Sequence, residues 1–117
     1  MKQTEWTVPA VVERIIDGDT ISVVMDLGWG LYKKDHVRLA GINAPERNTP
    51  EGQASLQWLA QELPVGSKVT LISHSLDKYG RALASIKLDT ELGTEDISEA
   101  LVASGHAVRW DGHGVKP

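Results

Sequence analysis

The first third of the chain alternates between apolar and polar residues with the period expected of β-strands. Residues 10–16 are rich in β-branched side chains, and residues 21–27 carry apolar side chains at every second position. Between them, the sequence Asp17-Gly18-Asp19 is typical of a tight turn. A loop is predicted over 28–35, followed by a third strand over about 36–42. These segments predict a meander of three antiparallel strands.

A helix is predicted after the third strand. Thr49 is a suitable N-cap, Pro50 suits the first helical position, and Glu51 lies near the positive end of the helix dipole. Apolar residues recur at i, i+3, i+4 and i+7, which forms one apolar stripe from Leu56, Leu59, Ala60 and Leu63. The helix is expected to end where Pro64 and Gly66 follow it.

Two further strands and a short second helix complete the pattern. The strands are predicted over 68–73 and about 81–88. The second helix ends at Gly105, which suits the position just after a helix C-cap. Its start is open, because either Thr94 or Ser98 is a suitable N-cap.

The predicted order is three strands, a helix, two strands and a short helix. Five strands with a helix between the third and fourth form the order of an OB-fold barrel, so the predicted class is mainly β (α+β). A chain of 117 residues without an internal repeat or linker fits a single domain over 1–117. We expect its core at about 10–109 and a loosely held tail over 110–117.

The composition excludes several classes of protein. Without cysteine, the chain has neither a disulfide scaffold nor a thiolate zinc site. Its apolar runs are too short to span a bilayer and its start does not resemble a secretory signal, so we expect a cytoplasmic protein without a membrane partner. A net charge of −4 disfavours binding of nucleic acid by phosphate neutralisation alone, but it leaves a metal-assisted enzyme open.

The turn Asp17-Gly18-Asp19 is the first candidate for chemistry. Two carboxylates flank a glycine, so the backbone can bend and direct an oxygen ligand inward, as hard cations such as calcium or magnesium prefer. The same sequence is also among the commonest hairpin turns, and taken alone the turn is the better interpretation.

The second candidate lies at the end of the third strand. Arg38 has apolar neighbours, which is an expensive environment for an unpaired guanidinium. Asn43 and the carbonyl of Ala44 offer neutral oxygen ligands, and Glu46 follows a proline. An ordinary surface arginine and a glutamate before a helix would explain each residue, but not their concentration at one strand end.

The third candidate is the polar loop between the last two strands. Arg81 begins a strand after a glycine, and Lys78 and Tyr79 are residue types that contact phosphate or a base. A plain polar hairpin loop is the alternative.

Exposed aromatic and basic residues elsewhere have two interpretations each. The four tryptophans are suited to stacking on bases, although packing in the core or in loops is the better interpretation. Lys33 and Lys34 either attract a nucleic-acid backbone or form a solvated hairpin tip, and we favour the tip.

Four segments together resemble the staphylococcal-nuclease-like (thermonuclease) family. They are IDGDTI at 16–21, VRLAGINAPE at 37–46, DKYGRALA at 77–84 and EALVASGHA at 99–107. They occur in the family's order with compatible spacing, and the similarity extends from Val11 to Val108. The resemblance implies a five-stranded OB barrel, in agreement with the strand order. It also implies metal-dependent cleavage of DNA or RNA phosphodiesters that leaves 3′-phosphate products.

The resemblance also implies roles for individual residues. The positions that match the family's two catalytic arginines and its catalytic glutamate are Arg38, Arg81 and Glu46. The positions that match its calcium ligands are Asp19, Asn43 and the backbone carbonyl of Ala44. The positions that match its contacts to the nucleotide phosphate are Lys78 and Tyr79. On this basis we expect calcium, or magnesium or manganese, as cofactor, and DNA or RNA as the partner of a monomer.

Asn43 is the main departure from the family, because an aspartate is usual there. An asparagine keeps an oxygen ligand but removes a negative charge, so we expect weaker calcium binding, a changed metal preference or loss of activity. A catalytically inactive domain that binds nucleic acid or a protein is therefore the alternative to a nuclease. A general single-strand-binding OB module ranks last, because the predicted strands carry few aromatic residues.

Overall fold

The computed structural model describes residues 6–76, 82–90 and 93–110. The elements in chain order are β1 (Trp6–Asp17), β2 (Thr20–Asp26), β3 (Tyr32–Leu39), β4 (Ile42–Asn43), α1 (Pro50–Glu62), β5 (Lys68–Leu76), β6 (Ala82–Thr90), β7 (Gly93–Asp96), α2 (Ile97–Ala103) and β8 (Val108–Arg109). Neither of the two helices in these residues has the length and apolar character needed to cross a membrane.

Five strands close into a barrel, which confirms the predicted OB-type fold. The main sheet has the order β3-β2-β1-β5-β6-β7, and its neighbouring strands run antiparallel. The barrel closes where β3 pairs in parallel with β6, through residues 37–39 and 82–84. The β4 and β8 strands form a separate pair beside it.

The barrel interior is filled by aliphatic side chains from its strands and from both helices. Ile21, Val37 and Leu39 are fully buried, as are Leu59 of α1 and Leu101 of α2. Burial of an aliphatic side chain of this size contributes about 1.5–3 kcal/mol, so this core supplies much of the folding free energy.

Helix α1 begins and ends as its sequence predicts. Thr49 is the N-cap, its hydroxyl accepts a hydrogen bond from the Gly52 amide at 3.0 Å, and Pro50 is the first helical residue. Leu59 and Leu63 of the predicted stripe are buried. The buried face also contains two residues that an apolar pattern does not mark, namely Gly52 and Ser55.

Several boundaries differ from the prediction. β1 already begins at Trp6, because its first residues pair with β5. β3 begins at Tyr32, where it pairs with Asp26, so part of the predicted loop belongs to the strand. The N-cap of α2 is Asp96 rather than either predicted residue, because its carboxylate accepts a hydrogen bond from the Glu99 amide at 3.2 Å.

The end of α2 matches the prediction. Gly105 follows the C-cap residue with φ 82°, a left-handed conformation that glycine adopts without steric cost. Its amide donates to the Val102 carbonyl at 3.1 Å. Of the predicted tail, residues 111–117 lie outside the described residues.

The expectation that tryptophans pack is correct for Trp58 and wrong for Trp29. Trp58 packs against the core, and its ring centroid lies 5.6 Å from that of His106. Trp29 lies at the tip of the β2–β3 hairpin, and 99% of its surface is exposed.

Candidate active site

An acidic turn joins β1 to β2. The Asp19 amide donates to Oδ1 of Asp17 at 3.1 Å, and the Thr20 hydroxyl donates to Oδ1 of Asp19 at 3.2 Å. These bonds inside the turn hold both carboxylates at one end of the barrel.

Gly18 allows this turn to pack directly against the rest of the site. A Cβ atom at Gly18 would lie 2.8 Å from Cβ of Ser55 and 2.9 Å from Cβ of Ala44, closer than real carbon atoms approach. Ser55 is fixed in turn, because its hydroxyl donates to the His106 carbonyl at 2.5 Å. The turn is therefore positioned by helix α1 and by the segment that follows β4.

Arg38 lies beside the turn and is buried, with 8% of its surface exposed. It pairs with Thr20 across the β2–β3 ladder, and one guanidinium nitrogen lies 3.4 Å from Oδ2 of Asp19. The guanidinium also donates to the carbonyls of Leu39, at 2.7 Å, and Ile42, at 2.9 Å. An arginine has five N–H donors, so these contacts do not use all of its capacity.

The two carboxylates of the turn have opposite protonation tendencies. Burial, reinforced by the nearby Asp19 carboxylate, raises the pKa of Asp17 to about 6. Burial alone would raise the pKa of Asp19 as well, but a hydrogen bond with Asp17, the charge of Arg38 and the Ala44 amide hold it below its ordinary value. Asp19 therefore stays ionised to a lower pH than Asp17 does, and the Ala44 amide donates to its Oδ2 at 3.0 Å.

Asn43 presents a buried oxygen atom that lacks a hydrogen bond. Its surface is 6% exposed, and Oδ1 is a buried side-chain polar atom without a partner among the described residues. An unpaired buried oxygen is costly, and a bound cation is one group that satisfies it. Asn43, the Ala44 carbonyl and the Asp19 carboxylate are hard oxygen donors, so the residue types fit calcium or magnesium.

The negative charge around this oxygen set is low. Within the part of the chain that the structure describes, no three side chains of His, Cys, Asp or Glu form a group suited to a metal ion. Asp17 and Asp19 supply carboxylates, whereas Asn43 supplies only a neutral amide. Weaker cation binding here than at a site with three carboxylates therefore stays a prediction.

Glu46 is exposed and is positioned through its backbone by helix α1. Its carbonyl accepts hydrogen bonds from the Thr49 amide at 3.0 Å and from the Thr49 hydroxyl at 2.7 Å. The same carbonyl packs onto Gly52, where a Cβ atom would lie 1.8 Å from it. Glu46 lines an open cavity of about 410 Å³ together with Arg47, Asn48 and Gln53.

The predicted site residues thus have three outcomes. Asp19 is in direct contact with Arg38 and with Ala44, and Asn43 adjoins Ala44 in the chain. Glu46 lies two residues further along, at the start of the helix α1 region. The remaining three, Lys78, Tyr79 and Arg81, lie outside the described residues.

Sequence reasoning did not identify the close contacts that position this site. Gly18, Gly52 and Ser55 bring the acidic turn, the Glu46 segment and helix α1 together. Gly52 carried a usable signal, because a glycine inside an otherwise amphipathic helix often marks a close approach by another segment. Ser55 carried none.

One family of known proteins matches more than half of this chain. A model of the family described as staphylococcal nuclease homologue matches residues 36–115. This range contains Arg38, Asn43 and Glu46, and it does not include the acidic turn at 17–19.

Similar proteins occur in fungi and bacteria. The chain is 34% identical to probable endonuclease LCL3 of Nakaseomyces delphensis over 65% of this chain and 31% of that protein. It is 33% identical to probable endonuclease LCL3 of Yarrowia lipolytica over 71% of this chain and 39% of that protein. It is 33% identical to Protein ParB of Escherichia coli over 88% of this chain and 58% of that protein.

In these comparisons the chain spans between about a third and three fifths of the length of each relative. The barrel, the contact of Asp19 with Arg38 and the family match over most of the chain lead to one assignment. The chain belongs to the staphylococcal nuclease homologue family.

Proposed function

We propose that this domain is a divalent-cation-dependent nuclease that hydrolyses phosphodiester bonds of DNA, RNA or both. Family membership supports a nuclease, as do relatives that are named probable endonuclease. The cation, the 3′-phosphate products and the role of each residue are part of the proposal, as is action as a monomer.

One observation carries the proposal. The ionised carboxylate of Asp19 lies 3.4 Å from the buried Arg38 guanidinium and accepts a hydrogen bond from the Ala44 amide. The preceding residue, Asn43, has a buried side-chain oxygen without a hydrogen-bond partner among the described residues. A cluster of this kind combines cation ligands with a donor for phosphate oxygens.

Asp19, Asn43 and the Ala44 carbonyl would hold the cation. When bound, it supplies positive charge that offsets the charge of the phosphodiester and of the transition state. The burial of this oxygen set strengthens that interaction, because water screens it less than at an open surface.

The side chains would then perform the hydrolysis. Glu46 accepts a proton from the attacking water as its oxygen bonds to phosphorus. The bond from phosphorus to the 5′ oxygen breaks, and that oxygen takes up a proton from solvent, which leaves a 3′-phosphate and a 5′-hydroxyl. Arg38 and Arg81 donate hydrogen bonds to the phosphoryl oxygens, where negative charge increases in the transition state.

The experiment is a cleavage assay with denatured DNA and with RNA, in calcium, magnesium, manganese or chelator. We expect cleavage that requires a divalent cation and that falls about a hundredfold or more in Glu46→Gln and in Arg38→Lys. The matched control is Glu51→Gln, which neutralises an exposed carboxylate five residues from Glu46 and should leave cleavage unchanged. Cleavage that persists in chelator, or in Glu46→Gln, would contradict the proposal.

Binding without cleavage is the second candidate. It is favoured by Asn43, which lowers the charge of the cation site, and by the guanidinium of Arg38, which donates to two carbonyls of its own chain. Tight binding of an oligonucleotide with no cleavage in any of the three cations would support it over the nuclease.

A further inference from the structure

Exposed apolar side chains are concentrated at the end of the β2–β3 hairpin. Among the described residues, seven large apolar or aromatic side chains are exposed, and four of them lie within six consecutive residues. We call these four the apolar tip, and they are Leu27, Trp29, Leu31 and Tyr32. The other three lie in β1, in β8 and in the turn after α1. An exposed cluster of this kind is typical of a surface that binds a protein or a membrane.

The apolar tip has a defined backbone. The Leu31 amide donates to the Gly28 carbonyl at 2.9 Å, and the Leu27 amide donates to the Leu31 carbonyl at 2.9 Å. The two central residues of the turn, Trp29 and Gly30, have φ 57° and 74°, as in a type I′ hairpin turn. The turn therefore holds the Trp29 ring at its apex, where 99% of the residue surface is exposed.

Trp29 is an unfavourable residue for this position. Type I′ turns favour asparagine or glycine because both tolerate a positive φ, whereas a bulky side chain is uncommon there. Trp29 gains no packing in return, since its ring is exposed. Unfavourable backbone conformations of this kind cluster at functional sites, so the position indicates a role other than folding.

The exposed area of the apolar tip is too small for a stable protein partner. A fully exposed aromatic side chain presents about 150–250 Å² and a half-exposed leucine less, so the four side chains together present about 400–600 Å². A specific protein interface, including that of a dimer, buries about 800 Å² on each partner. A lipid bilayer requires no matching shape, and tryptophan, tyrosine and leucine are side chains that enter its surface.

The charges behind the apolar tip are balanced. Lys33 lies 3.2 Å from a carboxylate oxygen of Asp35, and Lys34 lies 2.9 Å from one of Glu13. Asp26, one residue before the tip, adds a further exposed carboxylate. Paired charges suit a zwitterionic lipid surface, whereas a strongly anionic surface attracts clusters of unpaired lysine and arginine.

We propose that the apolar tip inserts into the surface of a zwitterionic lipid bilayer and attaches the domain to it reversibly. The four side chains would enter the boundary between the headgroups and the acyl chains, and the charged residues of β3 would stay among the headgroups. A surface contact needs no spanning segment. The proposal therefore revises the expectation of no membrane partner, which followed from the short apolar runs of the chain.

The apolar tip and the candidate active site lie at opposite ends of β2. The acidic turn precedes Thr20, and the tip follows Asp26. At about 3.4 Å per residue, β2 separates the two by about 20 Å. The candidate site would therefore stay clear of the bilayer. The inference goes beyond the proposed function and does not depend on it.

Co-sedimentation with vesicles of phosphatidylcholine tests the proposal. The 117-residue chain is incubated with increasing amounts of lipid, without nucleic acid or divalent cation, and the bound fraction gives a partition coefficient. The variants are Trp29→Asn, Trp29→Phe and Leu27→Ala. The matched control is Val108→Ala, because Val108 is 47% exposed, close to the 50% of Leu27, and lies in β8 beside Asn43.

Thermal unfolding checks that each variant is folded. Trp29→Asn should be at least as stable as the wild type, because asparagine suits a residue with positive φ in this turn. Loss of vesicle binding in this variant would then report the missing ring and not a damaged hairpin.

We expect the wild type to bind the vesicles. Trp29→Asn should lower the partition coefficient by about tenfold to 150-fold, the range for burial of one large apolar side chain. Leu27→Ala should lower it by about threefold to tenfold, since half of that side chain is exposed in the free protein. Trp29→Phe should keep most of the binding, and Val108→Ala should keep all of it. Adding phosphatidylserine should not strengthen binding, because the net charge of the chain is −4.

Failure of the wild type to bind phosphatidylcholine vesicles would overturn the inference, as would equal binding by the wild type and Trp29→Asn. Binding that requires phosphatidylserine and disappears at high salt would also contradict it, because the attraction would then be electrostatic. A wild-type dimer in analytical ultracentrifugation that Trp29→Asn dissociates would assign the apolar tip to a second copy of the chain instead. None of these outcomes bears on cleavage of nucleic acid, so the proposed function is tested separately.

Discussion

Replacing Gly52 by alanine should destabilise the domain, although alanine is the better helix former. In a helix interior, replacing glycine by alanine ordinarily stabilises the helix by about 1 kcal/mol. At this position, however, the new methyl carbon would lie 1.8 Å from the Glu46 carbonyl oxygen and 3.0 Å from Cα of Arg47. Both neighbours are backbone atoms, so no side-chain rotation relieves the overlap.

The size of the destabilisation follows from how far the Glu46 carbonyl must move away from the new methyl group. A comfortable separation exceeds 3 Å, so the Glu46 peptide group must move away by about 1.5 Å. Such a shift weakens its hydrogen bonds from the Thr49 amide and hydroxyl, at about 1 kcal/mol each. Overpacking adds about 1–3 kcal/mol. After the gain in helix propensity, we expect a net loss of about 2–4 kcal/mol.

Urea unfolding followed by tryptophan fluorescence measures this loss, because Trp58 lies on the same helix and packs against the core. The control is Gln57→Ala at an exposed position of the helix, where the change should stay within about 0.5 kcal/mol. The same shift moves Glu46, so nuclease activity should fall by about a hundredfold. If Gly52→Ala proved as stable as Gln57→Ala, the close approach of the Glu46 segment to the helix would be refuted.

Three further predictions concern charge and capping. Asn43→Asp should tighten calcium binding in a calorimetric titration, because it restores a carboxylate to the oxygen set, and an unchanged Kd would count against this site. Burial alone would raise the pKa of Asp96, but Lys87 at 2.8 Å and the helix amides hold it below its ordinary value. Asp96→Asn keeps an N-cap and should lower the free energy of unfolding by about 1 kcal/mol at pH 7. This difference should disappear as the pH falls below about 4, because the wild-type carboxylate is then protonated. A loss of stability that does not depend on pH would contradict the role of the Asp96 charge. Thr49→Ala removes the cap of α1 and a hydrogen bond to the Glu46 carbonyl, so the unfolding free energy of the domain should fall by about 1–2 kcal/mol. Thr49→Ser keeps the hydroxyl and should be close to the wild type in stability.

The five barrel strands, the first helix and its cap could be predicted because they depend on neighbours in the chain, whereas the short strands β4, β7 and β8 were not predicted. The period of apolar residues indicates which face of a strand or helix is buried, and Thr49 caps α1 through an amide three residues away. The order of these elements was sufficient to predict the OB barrel. The four segments that resemble the family then indicated Asp19, Arg38 and Glu46 as candidate site residues.

Boundaries set by pairing between distant strands could not be predicted. β3 begins at Tyr32 because it pairs with Asp26, and the lysines that follow do not resemble an ordinary strand. The cap of α2 is Asp96, which also lies at the end of β7 and is paired with Lys87 of β6. Both outcomes depend on residues brought close only by folding.

The chain sequence by itself determined the five barrel strands and the two helices, their order and the residue types available for chemistry. Only the tertiary structure decided that Arg38 is buried against Asp19, that Gly18 and Gly52 allow backbone segments to approach, and that Trp29 is left exposed. The physical reason is the separation along the chain over which each effect acts. Hydrophobic period and capping act within a few residues, whereas burial, close packing and the pKa of a carboxylate depend on atoms that are distant in the chain and adjacent in space.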